Sequence, residues 1–302
     1  MMAKKKTVSI GIPAYNEENN IGALLESILL QKTESFKLEE VVVVSDGSTD
    51  QTVEIVKSYQ KKYPFIKLLN DGKRIGQAGR LNELYKRLKS DIFITFDGDV
   101  ILGSVDTILE IVSSFRDKSV GLVGGKKIPY EQKTPVGKAV KIYEDFWTKV
   151  IDGLKNGNNV HNHQGPISAA SRKFLQSVVI PESTVASDHF LYFEALRLGF
   201  GFKYAKKAFV HFKVPSNLND FIKQTTRFHS SAKIIQEHFG SWTENHYRIP
   251  LYIKLKAYVE TFIRSPFYLI TALVLQLIQR IYSVVRFEKK STETWSIVAS
   301  SK

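Results

Sequence analysis

Hydrophobic positions change their period along the chain, and each change marks an element. Val8-Ser9-Ile10-Gly11-Ile12-Pro13 reads as a strand closed by a proline, with a polar loop over 14–20. Ile21, Leu24, Leu25, Ile28 and Leu29 then recur at helical spacing. Val41-Val42-Val43-Val44, within 39–45, is too uniformly apolar for a half-exposed strand and suits a central strand covered on both faces. Ser48 and Gln51 have capping-box spacing, which places a helix from there to about Tyr59. A third strand is expected at 65–69, a helix over 76–90, and a buried strand at Ile92-Phe93-Ile94-Thr95-Phe96. Further on, helices are expected over 104–115 and 135–154, and short strands at 120–124 and 206–212. In the longer helix Val140, Ile142, Tyr143, Phe146, Trp147 and Val150 form an apolar stripe. Phe190, Leu191, Phe193, Ala195 and Leu196 mark another helix, with Ser187-Asp188-His189 at its start. The alternation predicts an α/β fold, a mostly parallel sheet flanked by helices.

The last fifth differs. Leu251, Leu255, Tyr258, Val259, Phe262 and Ile263 form one helical face, with Lys254, Lys256, Glu260 and Arg264 opposite. Pro266 interrupts, and 268–285 is apolar nearly all round except for Gln276, Gln279 and Arg280. A spanning helix needs about 20 mostly apolar residues, and these three polar groups fall inside the window. The expected form is therefore a C-terminal pair of amphipathic helices at a membrane surface, with contact through 251–285. Packing on the rest of the chain or in a homodimer, and a true span, are the alternatives. Residues 288–302 read as a polar end. The domain expectation is a catalytic unit over 1–240, with a nucleotide-binding half (1–100) and an acceptor half (101–240), then the helical extension over 241–302.

Composition narrows the partners. Hydrophobic content of 43% over 302 residues supports a core, and the net charge of +13 favours an anionic partner. The basic residues are dispersed and no nucleic-acid motif is present, so a nucleotide or an anionic membrane is expected, with no nucleic acid. Cysteine is absent, which excludes disulfides, thiolate metal sites and a thiol nucleophile. The first six residues lead straight into a strand without an apolar signal segment, so the expected location is cytoplasmic, at the inner face of the cell membrane.

Chemistry gathers at strand ends, where sheets of this type bind ligands. Asn16-Glu17, Asp46 and Asp97-Gly98-Asp99 stand at three such ends. Strand alternation turns Asp97 and Asp99 to the same side, and Gly98 admits a close approach. Two hard carboxylates there suit Mg²⁺ or Mn²⁺, which also binds diphosphate oxygens. Singly, each stretch also reads as a solvated loop, and Asp-Gly as a turn. His161 and His163 read as a flexible polar loop in preference to a metal pair. No Gly-x-Gly-x-x-Gly follows the first strand and no P-loop is present, which argues against a dinucleotide oxidoreductase and a P-loop nucleotidase.

Ile12-Pro13-Ala14-Tyr15-Asn16-Glu17, Val44-Ser45-Asp46-Gly47-Ser48-Thr49-Asp50 and Phe96-Asp97-Gly98-Asp99, in that order, resemble the nucleotide-binding half of family 2 glycosyltransferases. These are inverting enzymes with the A-type glycosyltransferase fold. The resemblance implies transfer of a sugar from a nucleotide-diphosphate donor, a UDP-sugar foremost, to a glycan or lipid-linked acceptor in cell-surface glycan or glycolipid synthesis. It implies that Asp97 and Asp99 hold the divalent metal and the donor diphosphate, and that Asp46 contacts the base. Pro13, Tyr15 and Glu17 match residues lining the nucleotide pocket; Lys73, Arg80 and Asn82 fall in a variable basic stretch beside it. Residues 165–172 resemble the segment that returns to the sheet and lines the sugar pocket.

Asp188 matches the family's general base, with Ser187 where the usual Glu-Asp pair has its Glu. The same acid also reads as a first-turn residue stabilised by the helix dipole. His211, at the end of the last strand, matches a histidine that completes the metal or diphosphate site in some A-type enzymes, and reads equally as a packed histidine. Gln224-Thr225-Thr226-Arg227-Phe228 resembles the family's Gln-x-x-Arg-Trp motif, which implies that Gln224 and Arg227, on one helix face, contact acceptor sugar and diphosphate. Two other readings stand beside this one. A nucleotidyltransferase would need a glycine-rich phosphate loop that 13–17 lacks; the other is a non-catalytic nucleotide-sugar-binding membrane protein.

Overall fold

The computed structural model describes residues 5–87, 89–182, 184, 186–226 and 231–286. The chain begins with β1 (Lys6–Ala14), α1 (Ile21–Leu29), β2 (Phe36–Ser45), α2 (Thr52–Lys62), β3 (Ile66–Leu69), α3 (Gly76–Arg87), β4 (Ile92–Phe96) and β5 (Val100–Leu102). It continues through α4 (Thr107–Ser114), β6 (Val120–Pro129), α5 (Pro135–Gly153), β7 (Ile167–Ser171), α6 (Arg172–Leu175), α7 (Ser187–Arg197) and β8 (Gly201–Phe212). Helices α8 (Leu218–Thr226), α9 (Ser231–Phe239), α10 (Glu244–Tyr247), α11 (Leu251–Arg264) and α12 (Pro266–Arg286) follow.

One sheet of eight strands runs in the order β3-β2-β1-β4-β7-β6-β8-β5. The first four pair in parallel. β7 then runs antiparallel to both β4 and β6, and β5 antiparallel to β8, while β6 and β8 are parallel. The sheet is mixed, which corrects the mostly parallel expectation. The cause is the point of re-entry. The chain after α5 returns beside the carboxyl end of β4, setting Ile167 opposite Phe96, so β7 must run back down.

The valine run of β2 shows why both faces are apolar. Val41 and Val43 join one cluster with Leu24, Leu25 and Ile28 of α1, Val56 of α2 and Ile108 and Ile111 of α4. Val42 and Val44 join another with Leu81 and Leu84 of α3, Phe174 of α6 and Phe190 and Phe193 of α7. Strand alternation thus splits one run between two buried layers.

Local chemistry sets the helix ends. Thr134 caps α5 by accepting from the Gly137 N–H at 3.0 Å, and Pro135 fills its first turn. The capping box expected at Ser48 does not form. Asp50 Oδ1 accepts from the Thr52 N–H at 3.0 Å instead, and α2 starts there. β6 and β8 extend well past the short strands expected, pairing Lys126 to Pro129 with Phe209 to Phe212 across a bulge.

The last two helices each bury a narrow stripe. Ile253 and Ala257 of α11 pack with Val150 of α5 and with Leu154 just after it. Leu269, Ala272, Leu275 and Gln279 form the buried side of α12, which lies against α5 and α8. The broader apolar face of α11, with Leu251, Leu255, Val259 and Ile263, stays exposed, as do Phe267, Ile270, Val274 and Leu277 of α12. No helix among the described residues is long and apolar enough to cross a membrane.

Candidate active site

The loops after β1 and β2 are knitted together by short polar side chains. Asn16 takes a left-handed backbone conformation (φ 52°), which asparagine tolerates better than most residues. Its N–H donates to Ser48 Oγ at 3.2 Å, and its Oδ1 accepts from the Thr49 N–H at 2.8 Å. The Glu17 N–H donates to Thr52 Oγ1 at 2.7 Å. Pro13, buried in β1, pairs with Val44, and the Asp46 N–H donates to the Ala14 carbonyl at 2.8 Å. Tyr15 projects from this junction with the Arg74 guanidinium 3.8 Å from its ring centre, a cation–π contact.

Glu17 is buried and accepts from Asn20 Nδ2 at 2.8 Å, while Asn20 Oδ1 accepts from Lys213 Nζ at 2.7 Å. Glu17 also explains Gly98. A Cβ at position 98 would lie 2.8 Å from Glu17 Cγ, so the end of β1 packs directly on the turn between the two acids. On the other side, a Cβ at Gly165 would lie 3.1 Å from Asp97 Oδ2. The segment before β7 therefore closes on Asp97 because it has no side chain there. Gln77, in the first turn of α3, reaches Asp97 Oδ1 at 3.4 Å. Asp97 and Asp99 are half-buried at the carboxyl end of β4, while Gly98 between them is buried.

Asp46 is fully buried. Its Oδ1 accepts from the N–H groups of Ile75 (2.8 Å) and Gly76 (3.1 Å) and from Arg80 Nε (3.1 Å). Arg80, also buried, donates to Asp71 Oδ1 at 2.7 Å, to Glu83 Oε2 at 2.9 Å and to the Lys73 carbonyl. Burial alone would lower the Arg80 pKa, but its three carboxylate partners outweigh it and the net shift is upward. The same contact holds the exposed Asp71 carboxyl down at about 2. Asn82, expected beside a nucleotide, instead exchanges two hydrogen bonds with the backbone of Ile180, at 2.7 and 2.9 Å.

Asp188 lies half-buried in the first turn of α7, its Oδ1 accepting from the His189 N–H at 2.9 Å. Its backbone carbonyl accepts from His163 Nδ1 at 2.6 Å, and His163 Nε2 meets Ser168 Oγ of β7 at 2.7 Å. The segment expected to be a flexible polar loop is therefore part of the interior: His163 is fully buried and Asn162 nearly so. Burial drives the His163 pKa down to about 4, against the pull of the Asp188 charge. Tyr247 of α10 closes this region, its hydroxyl 3.2 Å from His189 Nδ1 and its ring 5.8 Å from that of His161. Its pKa is raised by burial first and by the Asp188 charge second.

His211 stands on β8 opposite Ile101 of β5, two residues beyond Asp99, with its ring stacked on Tyr130 at 5.2 Å. Its Nδ1 is buried without a partner among the described residues. Among those residues no three His, Cys, Asp or Glu side chains stand close enough to hold a metal ion alone, so Asp97, Asp99 and His211 are not a closed three-ligand site. The donors do fit a hard cation in another way. Two half-buried carboxylates stand at the end of β4, and a buried imidazole nitrogen without a partner among the described residues lies on β8, which pairs with β5 just after them. Gln224 lies half-buried on α8; Arg227 is outside the described residues.

Sequence reasoning passed over Gln77 and Tyr247, read His163 as loop, and had Gly165 only as the start of the segment lining the sugar pocket. The places of His163, Gly165 and Tyr247 depend on contacts with Asp188, Asp97 and His189, distant in sequence, and carry no local signal. Gln77 stands at the start of a predicted helix, where a reach toward the β4 acids was legible.

Solved structures share the architecture. A mannosyltransferase from Pyrobaculum calidifontis, in complex with GDP-Man and Mn²⁺, superposes with TM-score 0.63 at 20% identity, covering 94% of this chain and 79% of that one. Glucosyl-3-phosphoglycerate synthase from Mycobacterium tuberculosis, with Mn²⁺, UDP and phosphoglyceric acid, gives 0.55 at 18% identity over 78% and 79%. At these identities the likeness is one of fold. Among sequences, the chain is 25% identical over 250 residues to poly-beta-1,6-N-acetyl-D-glucosamine synthase of Staphylococcus aureus, covering 80% of this chain and 58% of that protein. It is 30% identical over 146 residues to dolichyl-phosphate beta-glucosyltransferase ALG5A of Trichomonas vaginalis, covering 45% of each. The match thus spans about half the length of these curated relatives. The family model for glycosyl transferase family 2 matches residues 9–179, more than half of the chain and all three strand ends described above. The chain belongs to glycosyl transferase family 2.

Proposed function

We propose that the chain is a metal-dependent inverting glycosyltransferase that moves a hexose from a nucleotide-diphosphate donor, a UDP-sugar foremost, to an acceptor hydroxyl. The observation that carries this reading is the turn Asp97-Gly98-Asp99, pressed between Glu17 and Gly165 at the carboxyl end of β4. Membership of family 2 and neighbours solved with GDP-Man, UDP and Mn²⁺ support it.

In this reading Asp97 and Asp99 would hold Mg²⁺ or Mn²⁺ against the donor diphosphate, and His211, expected as a further ligand, stands outside that pair among the described residues. The bound metal neutralises charge on the departing nucleotide diphosphate. Pro13, Tyr15, Glu17 and Asp46 shape the nucleotide pocket, and Arg80 acts through Asp46 and the start of α3 as a positioning residue. Asp188 takes the proton of the acceptor hydroxyl as that oxygen attacks the anomeric carbon. The bond to the diphosphate breaks in the same step and the anomeric centre inverts. Gln224 and Arg227 belong to the acceptor side. We assign the catalytic work to residues 1–240, and to 241–302 a contact with the cytoplasmic face of a membrane, where a glycan or lipid-linked acceptor for cell-surface synthesis would be met.

Calorimetric titration with UDP, GDP and CDP, with and without Mn²⁺, tests the site. One nucleotide is expected to bind only with metal, and Asp99→Asn to weaken it at least about tenfold. Absence of binding by all three to folded protein overturns the proposal. Metal-dependent binding with no release of nucleotide from any donor sugar would instead support a non-catalytic nucleotide-sugar binder.

A further inference from the structure

A cleft of about 320 Å³ opens between α5, the far end of β6 and the junction of α11 with α12. It shares no residue with the strand ends described above. Four cations line it, Lys126, Lys127, Lys149 and Arg264, against two carboxylates, Asp145 and Asp152. Lys149 gives its ammonium to the Thr261 hydroxyl at 3.0 Å, a neutral partner. Lys126 stands 3.9 Å from Asp152, at the limit of an ion pair. Asp152 is already answered by Lys206, 3.3 Å from its Oδ2, and by the Tyr204 hydroxyl, and Lys127 pairs with Glu144 at 2.9 Å. The lining carries more cations than carboxylates and asks for a ligand with an anionic group, and the volume falls within the range of small-molecule sites.

The rim gives the ligand its second property. Arg264 and Ser265 line the cleft, while their chain neighbours Ile263 and Phe267 point to solvent at 77% and 70% exposure. The exposed apolar faces of α11 and α12 run on from these two residues, with Lys254 and Lys256 exposed beside them. Large apolar side chains flanking a basic cleft match a molecule whose anionic head is joined to hydrocarbon.

We propose that this cleft binds the headgroup of an anionic phospholipid, with the apolar faces of α11 and α12 resting on the bilayer around it. The proposal rests on the membrane contact stated above and names its ligand; it does not depend on transfer activity. The phosphate lies between Lys149 and Arg264. Lys126 and Lys206 stand near Asp152 and balance its charge.

Co-flotation of the full chain with vesicles tests this, using phosphatidylcholine alone or phosphatidylcholine with phosphatidylglycerol. Wild-type protein is expected to prefer the anionic vesicles. Arg264→Ala should reduce that preference about fivefold, and Lys149→Ala with Arg264→Ala by roughly 25-fold. Arg264 is exposed, so its single variant reports without risk to folding. Phe267→Asp should weaken binding to both vesicle types. Nucleotide titration of the same samples should be unchanged, which separates failure here from failure of the transferase site. Equal binding to both vesicle types, or full anionic preference in the double variant, overturns the headgroup site. So does tight binding of free glycerol 1-phosphate without vesicle binding, which would make the ligand a soluble phosphate ester. A dimer in sedimentation that ignores vesicles would likewise overturn it, by covering the apolar face with a second copy.

Discussion

Replacing Arg80 by methionine keeps an aliphatic stem and removes the guanidinium. The loss is concentrated on Asp46, because the partners differ in exposure. The Asp71 and Glu83 side chains are 48% and 34% exposed and regain water when Arg80 goes, whereas Asp46 is 0% exposed. Breaking a buried pair on one side costs about 3–5 kcal/mol, mostly through the charge left behind. Asp46 keeps the N–H groups of Ile75 and Gly76, so the lower end, about 3 kcal/mol, is expected. Urea unfolding followed by circular dichroism measures it, with an unchanged m-value as the check that both states are the same. Asp46→Asn combined with Arg80→Met removes both charges and should recover much of the loss, to within about 1–2 kcal/mol of wild type. A single variant that costs less than about 1 kcal/mol, or a double variant no more stable than the single, would refute the stranded-charge argument.

Two further outcomes follow from the same geometry. A buried His163 that protonates only at about 4, against 6.5 in an unfolded chain, makes the unfolded state the greater proton binder between those values. Its contribution is therefore full above pH 6.5 and is lost as pH falls toward 4, by about 3 kcal/mol at 1.36 kcal/mol per unit. Urea midpoints at pH 7 and 4.5 should diverge less in His163→Asn than in wild type, and an identical pH dependence would show that His163 is not the group involved. Gly98→Ala places a methyl 2.8 Å from Glu17 Cγ, and Glu17 is held by Asn20, so the side chain must shift. Nucleotide affinity should fall about tenfold or more for a shift of this size at a positioned group, with a far smaller change in melting temperature. Unchanged affinity would mean that the Glu17 contact does not set the shape of the pocket.

Local pattern carried the first hundred residues well, because each strand and helix there is signalled by its own period. The valine run of β2, the helical spacing of α1 and the acids after β4 all stand where the pattern puts them. Pattern could not give the direction of β7. Its five residues, Ile-Ser-Ala-Ala-Ser, read the same in either sense, and only the path of the chain after α5 decides it. β5 was missed because three apolar residues after a turn have no period to detect; it is a strand through its pairing with β8. The histidines at 161 and 163 look polar in sequence. His163 can be interior because the Asp188 carbonyl, 25 residues on, and the Ser168 hydroxyl of β7 supply partners for both of its ring nitrogens.

The same limit applies to charge. Four acids gather at the strand ends; alternation singles out Asp97 and Asp99 in the sequence, but only their surroundings show how far each is buried. Asp46 is matched by Arg80 and the start of α3, and serves to fix that helix against β2. Glu17 is buried, linked through Asn20 to Lys213, and braces the turn at Gly98. Asp97 and Asp99 are the half-buried pair. A nucleotide diphosphate brought to this edge meets two carboxylates of its own sign at close range, where each like-charge contact opposes binding. Binding without a cation would leave that repulsion in place, and a divalent ion shared between protein and diphosphate turns it into attraction. The proposed metal requirement thus follows from which acids the fold leaves half-open, a distinction that counting acids along the chain cannot make.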